Sequence, residues 1–352
     1  MKKTVIVCGG GSGGHVIPAL TIISSLPNDV EVIFIGSENG IERKLTEGKV
    51  STYFPIRTGK LRRYLSVENL KDFFRVFAGI FDSFSIIKKY PSRSVIISFG
   101  GFVSVPVVIA GRLLGRKVFV HEQTTRVGLA NRIASFFCHK VFVSFESSKQ
   151  FFPSSKVVFS GYPIRKEIYS GEKDVFIKGV DLNKVERPIL FITGGGNGAK
   201  ILNDKIKESI DILKQKFFIV HQVGANFEKE YLALEDKNYK VFGFLKDEMI
   251  PLMKKSNVII SRAGAGTVAE LLALKKRSIF IPLKIAQKNE QYHNAMEAHE
   301  ILGSKVIIED DFRNLNIVDE IDSFLGSHQE SPRENFMIDG REKIVNQVLE
   351  SF

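Results

Sequence analysis

Short apolar runs alternate along the chain with longer stretches in which apolar residues recur every three or four positions. The short runs are rich in β-branched residues and typical of strands buried on both faces, and the longer stretches are typical of amphipathic helices. A repeated strand-then-helix order predicts a parallel sheet wound by helices. The predicted strands are Thr4–Cys8, Glu31–Gly36, Val95–Ser98, Val118–His121, Val141–Ser144, Val157–Ser160, Ile189–Thr193, Phe217–Gln222, Lys240–Gly243, Asn257–Ser261, Ser278–Ile281 and Lys305–Ile308.

The repeat is interrupted at Gly161-Tyr-Pro-Ile-Arg165, before a polar and weakly periodic stretch that ends near Arg187. The sequence therefore predicts an α/β protein with two doubly wound, Rossmann-like domains, residues 1–163 and 164–339. Ligands of such sheets bind outside the carboxyl ends of the strands. We therefore expect the two domains to face a common cleft.

Residues 94–111 carry no charge over 18 positions, which is close to the length of a membrane span. The stretch contains Gly100, Gly101 and Pro106, so a strand, a glycine turn and a helix are predicted in place of a membrane helix. The first apolar run of the chain is too short for a signal peptide, and the isolated Cys8 and Cys138 suit a reducing compartment. We therefore expect the protein inside the cell.

Positive charge is concentrated in the first half of the chain. Residues 1–163 carry 22 Lys and Arg against 10 Asp and Glu, a net charge of +12, whereas residues 164–352 carry 28 against 29, a net charge of −1. A basic first domain predicts contact with an anionic surface or substrate, which could be anionic lipid, a phosphorylated acceptor or nucleic acid.

Glycine-rich loops follow the first strand of each half. The loop Gly9–His15 precedes a helix with Pro18 in its first turn, and Gly194–Gly198 takes the equivalent place in the second half. The first loop matches the dinucleotide fingerprint G-x-G-x-x-G only formally, with Glu38 as the ribose acid, since His15 and Pro18 do not belong to that fingerprint. Two such loops favour a two-substrate enzyme with a phosphate on each side.

His15 stands where the first loop enters its helix. The positive end of the helix disfavours the charged imidazole, and a neutral imidazole can act as a general base on a hydroxyl. The alternative is a histidine that only caps the helix or bonds a backbone carbonyl.

Residues 261–291 predict an anion site. A buried strand ends in a turn of small residues, a helix begins near Ala265, and the missing side chains at Gly264 and Gly266 let a phosphate approach the helix end. Glu270, one helical turn further on, is placed to take the hydroxyls of a ribose. The alternative is an ordinary strand–helix connection.

Two further segments, Phe99–Pro106 and His121-Glu-Gln123, follow successive predicted strands and so belong to the same carboxyl edge. Glu122 could hold a substrate hydroxyl or support a base, or it could cap the next helix. No Asp-x-Asp pair ends a strand, and no His, Cys or carboxylate set has ligand spacing. We therefore predict a reaction that needs neither a metal nor another cofactor.

Residues 60–93 combine cations with phenylalanines at spacings of three and four, which share one helix face. Such a helix suits a membrane interface, where the rings enter the acyl boundary and the cations meet lipid phosphates. The alternative is a core helix packed on the sheet. The residues predicted to contact a membrane are Lys71, Phe73, Phe74, Arg75, Phe77, Phe81 and Phe84.

An ordered set of motifs spans nearly the whole chain: Gly9–Leu20, Gly100–Pro106, His121–Gln123 with Gly128 and Asn131-Arg132, Gly161–Arg165, Gly194–Asn203, Ser261–Glu270 and Glu290–Ala295. With these motifs the chain resembles the MurG family, the cytoplasmic-face glycosyltransferases of peptidoglycan synthesis. That resemblance implies a GT-B fold, and an inverting transfer of N-acetylglucosamine from UDP-GlcNAc to the 4-hydroxyl of undecaprenyl-diphosphate-linked MurNAc-pentapeptide. It also implies a peripheral position on the inner membrane.

The resemblance also implies roles by position. Leu245 would hold uracil through its backbone, Glu270 the ribose and Gln291 the sugar. The diphosphate would be held by Ala265, Gly266, Thr267, Arg165 and Gly196. The catalytic residues would be His15, Glu122 and Asn131. The acceptor would meet Ser104, His15 and the loop of Ser12, Gly13 and Gly14, which we also predicted to contact the donor. The last helix, 340–352, would pack on the first domain.

Three positions depart from the family pattern: Ser12 replaces Thr, Gly196-Asn197 replaces Ser-Gln, and Thr124 replaces Asn. The second change removes a hydroxyl contact to phosphate, and the third puts an amide contact in doubt. Two other functions stay open. One is a related glycosyltransferase with another lipid acceptor such as diacylglycerol. The other is a dinucleotide- or nucleic-acid-binding protein, against which the clustering of cations around a Phe-rich helix argues.

Overall fold

The structure is a computed structural model that describes residues 3–59, 67–171, 174–327 and 339–352. The chain forms two compact units. The first contains the described residues up to Ile164 together with those from Asp339 to the end, and the second contains those from Arg165 to Ser327.

Seven parallel strands form the sheet of the first unit, in the order β3-β2-β1-β4-β5-β6-β7. All six strands predicted for this half are present, with ends shifted by at most one residue. The strand that was not predicted, β3, lies at the sheet edge, is only partly buried and contains Pro55. The strands are β1 (Lys3–Cys8), β2 (Val30–Ser37), β3 (Thr52–Ile56), β4 (Val95–Ser98), β5 (Lys117–Glu122), β6 (Lys140–Val143) and β7 (Val157–Phe159).

Helices cover both faces of this sheet, because its strands are apolar on both sides. One apolar cluster is closed by the third and fourth helices and the other by the first. The helices are α1 (Gly13–Ile23), α2 (Ile41–Leu45), α3 (Val67–Ile87), α4 (Ser104–Leu113) and α5 (Leu129–Phe137).

The second unit contains a two-stranded antiparallel hairpin, β8-β9, and a six-stranded parallel sheet in the order β12-β11-β10-β13-β14-β15. All six predicted strands are present, whereas the hairpin, with two residues per strand, was not predicted. The strands are β8 (Phe176–Ile177), β9 (Val180–Asp181), β10 (Ile189–Thr193), β11 (Phe218–Gln222), β12 (Tyr239–Phe242), β13 (Val258–Ser261), β14 (Ile279–Phe280) and β15 (Lys305–Val306).

The remaining helices are α6 (Lys200–Glu208), α7 (Ile210–Lys216), α8 (Glu228–Leu232), α9 (Met249–Lys255), α10 (Ala265–Ala273), α11 (Glu290–Leu302), α12 (Glu309–Asn314), α13 (Ile317–Gly326) and α14 (Gly340–Leu349). The chain returns to the first unit for α14, which packs beside α1. Ile344, Val345 and Val348 are buried there in the same apolar cluster as β1 and β2. Asp339 accepts a hydrogen bond from the N–H of Ile164 at 3.3 Å, which ties the two segments together.

The uncharged stretch 94–111 forms β4, a turn at Gly100 and Gly101, and most of α4, as predicted. Among the described residues, no helix is both long enough and apolar enough to cross a membrane.

Both sheets are wound in the same way, since the first six strands of each follow the order 3-2-1-4-5-6. The strand order reverses between β1 and β4 in the first unit, where Cys8 pairs with Ser98, and between β10 and β13 in the second, where Thr193 pairs with Ser261. The loops that follow these strands diverge and leave a crevice at the carboxyl edge. The glycine loop Gly9–His15 follows β1 at the first of these reversals, and the loop Gly194–Gly198 follows β10 at the second.

Candidate active site

The first glycine loop fixes the ring of His15. The Nδ1 atom lies 2.9 Å from the carbonyl of Gly10 and 3.1 Å from the hydroxyl of Ser12. A carbonyl can only accept, so Nδ1 carries the proton in that bond and Nε2 carries the lone pair. Burial of the ring lowers the pKa of His15 below its ordinary value of 6.5, and the Gly10 bond and the charge of Glu42 oppose this shift. A neutral imidazole with an accepting Nε2 can act as a base.

We predicted a low pKa of His15 from the positive end of the helix, whereas burial is the main cause in the structure. The backbone bond that we had named as an alternative role is also present, and it sets the tautomer. Gly13 and Gly14 occupy the first positions of α1, whose N–H groups have no acceptor within the helix. Gly13 has open space where a side chain would lie. The loop therefore presents backbone donors beside the histidine.

Glu42 stabilises the first glycine loop from its buried side. This residue was not predicted from the sequence. Its fully buried carboxylate accepts hydrogen bonds from the N–H of Gly11 at 3.1 Å and from the N–H and hydroxyl of Ser37 at 2.9 and 2.5 Å. Glu38, the ribose acid of the dinucleotide alternative, is exposed. Glu42 is a structural support of the loop.

Glu122 and Asn131 form a buried pair beside the histidine. The Nδ2 of Asn131 donates to the carboxylate of Glu122 at 3.0 Å, and the carboxylate also accepts from the N–H and hydroxyl of Thr124. Burial raises the pKa of Glu122, and these hydrogen bonds oppose the shift. Glu122 thus stabilises the loop that follows β5, and Thr124, which stands where the family pattern has Asn, is one of its hydrogen-bond partners. Gly100 has a φ of +93°, and a Cβ there would lie 3.1 Å from the ring of His15 and 3.2 Å from the amide of Asn131.

Ser104 is placed differently from our prediction of an acceptor contact. It has no exposed surface, and its hydroxyl accepts a hydrogen bond from Ser98 at 2.7 Å. The side chain joins the start of α4 to the end of β4. It supports the turn and is not presented to a ligand.

The turn between β13 and α10 has the predicted form. Gly264 precedes the helix, and Ala265, Gly266 and Thr267 form its first turn, so their N–H groups point out of the helix end. No side chain or backbone atom lies within 4 Å of the position that a side chain at Gly264 would take. The amide of Asn294 donates to the carbonyl of Ala263 at 3.1 Å and holds the turn from behind.

Arg262, inside the same turn, is a cation that could be mistaken for a phosphate ligand. Its guanidinium is mostly buried, donates to the carbonyl of Ile281 at 2.9 Å and forms an ion pair with Glu309 at 2.5 Å. Its N–H donates to the carbonyl of Thr193. Arg262 therefore braces the turn against the neighbouring strands.

Arg165 and Glu270, both predicted to contact the donor, form a bidentate ion pair. Nε of Arg165 lies 2.6 Å from one carboxylate oxygen of Glu270, and Nη2 lies 2.9 Å from the other. The side chain of Glu270 is 8% exposed and that of Arg165 is 29% exposed. The pair uses two of the five N–H groups of the Arg165 guanidinium and one acceptor site on each carboxylate oxygen of Glu270.

The second glycine loop, at the end of β10, is anchored by Thr193, whose hydroxyl accepts from the N–H of Gly195 at 3.0 Å. Gly196 is exposed, and a Cβ there would lie 3.2 Å from the ring of Phe244. This contact gives a physical reason for glycine where the family pattern has serine. The N–H of Leu245 donates to Gln222 at 2.8 Å. Leu245, predicted to hold uracil, is thus supported from the sheet.

Gln291, predicted to bind the sugar, lies in the first turn of α11. Its side-chain oxygen accepts from the N–H of Leu283 at 3.0 Å, so the residue also shapes the loop after β14. Lys288 and Asn289 before it have left-handed backbones, with φ of 52° and 57°. Conformations of this kind are costly for residues with side chains and are enriched in functional loops.

Helix α3, which was predicted to contact a membrane, carries both exposed and partly buried phenylalanines. Phe74, Phe77 and Phe81 are exposed, whereas Phe84 is partly buried against the core of the first unit. The predictions for the side chains of Lys71 and Phe73, and the cations Lys60, Arg62 and Arg63, lie outside the described part of the chain. Leu113 on α4 and Phe136 on α5 are also exposed, and α4 packs against both α3 and α5. The exposed apolar residues of α3, α4 and α5 are called the apolar patch below.

The structure brings the predicted residues together in two groups. His15, Ser12, Gly13, Gly14, Glu122 and Asn131 lie at the carboxyl edge of the first sheet, and Arg165, Gly196, Leu245, Ala265, Gly266, Thr267, Glu270 and Gln291 belong to the second unit. In the described ranges, no three His, Cys, Asp or Glu side chains are grouped so that they could hold a metal ion.

Three residues that support the site were not predicted from the sequence: Glu42, Gln222 and Glu309. Gln222 was detectable, because it is a polar residue at the carboxyl end of a predicted strand. Glu42 and Glu309 carry no such signal, since each meets its partner only after the chain has folded.

Two Rossmann-like units, each wound in the order 3-2-1-4-5-6, have the architecture of GT-B type glycosyltransferases. The chain belongs to glycosyltransferase family 28: the model of the family's N-terminal domain matches residues 5–143, and that of its C-terminal domain matches residues 189–348.

Curated relatives are similar over nearly their whole length. A Clostridium novyi (strain NT) protein is 39% identical over 323 residues, covering 90% of this chain and 88% of the relative. A Clostridium botulinum (strain Kyoto / Type A2) protein is 38% identical over 355 residues, covering 100% of this chain and 95% of the relative. Both are named UDP-N-acetylglucosamine--N-acetylmuramyl-(pentapeptide) pyrophosphoryl-undecaprenol N-acetylglucosamine transferase.

Solved structures share the fold. MurG of Acinetobacter baumannii superposes with a TM-score of 0.73 at 24% identity, covering 99% of both chains. The UDP-GlcNAc 2-epimerase of Methanocaldococcus jannaschii, solved with UDP-GlcNAc and UDP, superposes with a TM-score of 0.63 at 14% identity, again covering 99% of both chains. These likenesses confirm the predicted GT-B architecture, and the family membership confirms a glycosyltransferase.

Proposed function

We propose that this enzyme transfers N-acetylglucosamine from UDP-GlcNAc to undecaprenyl-diphosphate-linked N-acetylmuramyl-pentapeptide, forming a new glycosidic bond at the 4-hydroxyl of the muramyl sugar. The observation that carries this proposal is the name shared by relatives that match the full length of the chain at 37–40% identity. The residues of both units fit the steps that such a transfer needs.

The donor is assigned to the second unit, residues 164–339 of our sequence-based division. The N–H groups of Ala265, Gly266 and Thr267 at the start of α10 suit the diphosphate, because a helix N-terminus combines unsatisfied donors with a positive dipole end. Leu245 is proposed to hold uracil, Glu270 the ribose and Gln291 the sugar. Arg165 and the loop at Gly196 complete the phosphate site.

The acceptor is assigned to the first unit, residues 1–163, where Ser12, Gly13 and Gly14 offer a hydroxyl and backbone donors to its diphosphate. His15 is proposed as the base: Nε2 takes the proton of the attacking hydroxyl as its oxygen bonds the anomeric carbon of the sugar. The bond from the anomeric carbon to the UDP oxygen breaks in the same step, so the anomeric configuration inverts. Asn131 and Glu122 are proposed to hold this edge of the site in shape.

The leaving UDP gains negative charge as the bond breaks. Arg165, the N–H groups at the start of α10 and the helix dipole are proposed to meet that charge, and preorganised groups of this kind are each worth about 3 kcal/mol in a transition state. Ser104 is dropped as a side-chain ligand of the acceptor, because its hydroxyl is buried against Ser98.

We further propose that the enzyme works peripherally on the cytoplasmic face of the cell membrane. The apolar patch exposes Phe74, Phe77, Phe81, Leu113 and Phe136, and the first half of the chain carries the net positive charge. Phenylalanines beside cations suit the boundary between acyl chains and anionic headgroups. This placement would bring the enzyme to a lipid-linked acceptor.

The test is to incubate the protein with radiolabelled UDP-GlcNAc and the undecaprenyl-diphosphate-linked muramyl-pentapeptide in anionic lipid–detergent mixtures, with and without EDTA. We expect label in the lipid fraction in both cases. Label that requires a divalent cation would contradict the metal-independent mechanism. Label found only when diacylglycerol replaces the muramyl acceptor would overturn the acceptor assignment, and no label with either would overturn the proposal.

A further inference from the structure

We infer that Glu42 is the positioning residue of the proposed base, His15, and acts on it through the peptide group between Gly10 and Gly11. This inference rests on the role of His15 proposed above. Glu42 lies in the first turn of α2, and α2 packs beside α1, the helix that carries His15. The two side chains reach the same peptide group from opposite sides.

The peptide group between Gly10 and Gly11 is hydrogen-bonded at both of its polar ends. Its carbonyl oxygen accepts from Nδ1 of His15 at 2.9 Å, and its N–H donates to the carboxylate of Glu42 at 3.1 Å. In a trans peptide the C=O and N–H bonds point in opposite directions. One planar unit therefore connects the carboxylate to the imidazole, and a rotation of that unit would break both hydrogen bonds.

The contacts around Glu42 hold its carboxylate in place. The side chain is fully buried, and the second carboxylate oxygen accepts from the N–H and the hydroxyl of Ser37 at 2.9 and 2.5 Å. All three groups that reach the carboxylate are donors, as an ionised carboxylate requires. A Cβ at Gly10 would lie 2.5 Å from a carboxylate oxygen, so the loop approaches this closely only because the residue is glycine.

This arrangement acts on His15 in two ways. The charged acceptor polarises the peptide group, so its carbonyl is a stronger acceptor for the Nδ1 proton and keeps the lone pair on Nε2, where the proposed reaction needs it. The negative charge of Glu42 also favours the protonated imidazole and opposes the fall in the pKa of His15 that burial causes. His15 is therefore a stronger base than it would be with burial alone.

The other charges around His15 stay the same when Glu42 is replaced. Glu122 lies on the far side of Asn131, to whose amide it is bonded, and the segment Phe99–Val103 beside the ring contains no charged residue. The remaining charged side chains of the helices α2 and α14, which both pack beside α1, are either exposed (Arg43, Lys44, Glu342, Lys343 and Glu350) or paired with Asp339 (Arg341). A change in the pH profile on replacement of Glu42 therefore reports the loss of its own charge.

The test measures kcat, the KM for UDP-GlcNAc and the pH profile of kcat/KM. Glu42→Gln keeps the volume, removes the charge and leaves one acceptor oxygen in place of two. We expect kcat to fall about tenfold and the midpoint of the acid limb to move to lower pH, because the base loses its orienting bond and the charge that favours its protonation. The KM for UDP-GlcNAc should change less than about twofold, because the donor is assigned to the second unit.

Tyr53→Phe is the matched control. The hydroxyl of Tyr53 donates to the carbonyl of Ser37 at 2.6 Å, so its removal costs a hydrogen bond at the same junction and leaves the carboxylate of Glu42 with its charge and its three donors. We expect Tyr53→Phe to keep kcat within about twofold and the acid limb of the wild type. Glu42→Asp, which keeps the charge on a shorter side chain, should keep the wild-type midpoint and lower kcat about threefold.

An acid limb at the wild-type position in Glu42→Gln, or an equal loss of kcat in Tyr53→Phe, would overturn the inference. If Glu42→Gln does not fold, a kcat of Glu42→Asp equal to that of Tyr53→Phe would overturn it. An acid limb that persists in His15→Gln would instead overturn the proposed base on which the inference rests. The His15 variant therefore separates the two failures.

Discussion

The guanidinium of Arg165 and the carboxylate of Glu270 face each other through two parallel hydrogen bonds of 2.6 and 2.9 Å. Arg165 stands at the first position of the second unit, whereas Glu270 lies in α10, 105 residues further along the chain. Both residues were predicted to contact the donor, one at the phosphates and one at the ribose. In the structure the two side chains are hydrogen-bonded to each other, so part of the hydrogen-bonding capacity of each is used within the second unit.

This pair should contribute measurably to stability. We expect a double-mutant cycle of Arg165→Ala and Glu270→Ala to give a coupling free energy of unfolding of about 1–3 kcal/mol, because the carboxylate is nearly buried and the geometry is bidentate. The matched control is Lys284–Asp310, whose side chains are 62% and 59% exposed and which should couple by about 0–1 kcal/mol. Equal coupling in both cycles, measured by urea unfolding, would contradict this expectation.

Replacement of His15 should remove the base and leave the fold intact. We expect His15→Gln to lower kcat by about 10²–10⁴-fold, since the amide can still bond the Gly10 carbonyl but cannot take a proton. His299 is the control: its Nδ1 makes the same kind of bond, 2.8 Å to the carbonyl of Ser304, at the far end of α11, and His299→Gln should keep wild-type activity.

The pH profile of kcat/KM should report the same residue. Only the neutral imidazole is a base, so activity rises as pH rises through the pKa of His15. Burial places that pKa below 6.5, and the acid limb should therefore have its midpoint below 6.5. A midpoint above this value, or an acid limb that persists in His15→Gln, would exclude the residue from the role.

A buried histidine in the second unit should make stability sensitive to acid. His221 contacts the hydroxyl of Tyr239 at 2.9 Å and the amide of Asn203 at 3.1 Å, and burial lowers its pKa to about 3. The unfolded chain then binds the proton more tightly, so this stability is complete above pH 6.5 and is lost as pH falls from 6.5 toward 3. The slope in that window is about 1.4 kcal/mol per pH unit.

The measurement for His221 is urea unfolding at several pH values, compared with His221→Gln, which keeps a donor and an acceptor but cannot titrate. His121 in the first unit, with a pKa also lowered to about 3, contributes in the same direction in both proteins. Only the difference between the two slopes therefore belongs to His221. Identical slopes would contradict the assignment.

The C-terminal helix should be essential for the first unit. We expect Ile344→Ala to cost about 2–5 kcal/mol of the free energy of unfolding, because the side chain is fully buried in the cluster that contains β1 and β2. Asn346→Ala on the exposed face of the same helix should cost less than about 0.5 kcal/mol. Similar losses in the two variants would contradict burial as the source of this stability, since both substitutions raise helix propensity.

The apolar patch should direct binding to anionic vesicles. We expect Phe81→Glu to weaken sedimentation with phosphatidylglycerol-containing vesicles by about tenfold or more, because a 70% exposed ring is replaced by a charge of the wrong sign. Phe176, 58% exposed in the second unit, is the matched position, and Phe176→Glu should bind as the wild type does. Equal loss in both variants would mean that total charge, and not the patch, controls binding.

The fold was largely predictable because buried parallel strands have a strong signal. Strands β4 and β10 were predicted residue for residue, and their neighbours within one or two positions. The failures occurred where that signal is weak. Strand β3 is a half-exposed edge strand with a proline, and the hairpin β8-β9 has too few residues to show alternation.

The site was predictable to the level of which loops carry it, but not to the level of its hydrogen bonds. Small residues and helix starts mark a phosphate turn in the sequence, so Gly264 to Thr267 could be found directly. The pairing of Arg165 with Glu270, the support of Gly11 by Glu42 and the burial of Ser104 join residues that are adjacent only after folding. A local pattern cannot contain that information, and the division of the Phe-rich helix into exposed and buried rings has the same origin.

The return of the chain to the first unit has a consequence for its synthesis. A ribosome makes residues 1–164 before the second unit, but Asp339 and α14, which bond Ile164 and fill the apolar cluster beside α1, are made after it. Domains usually fold as they emerge, N-terminal domain first. Here the first unit must wait, with part of its core uncovered, while the whole second unit is translated. The first unit is therefore translated before the second unit but completes its core after it. A nascent chain that stalls before residue 339 lacks the helix that covers this core.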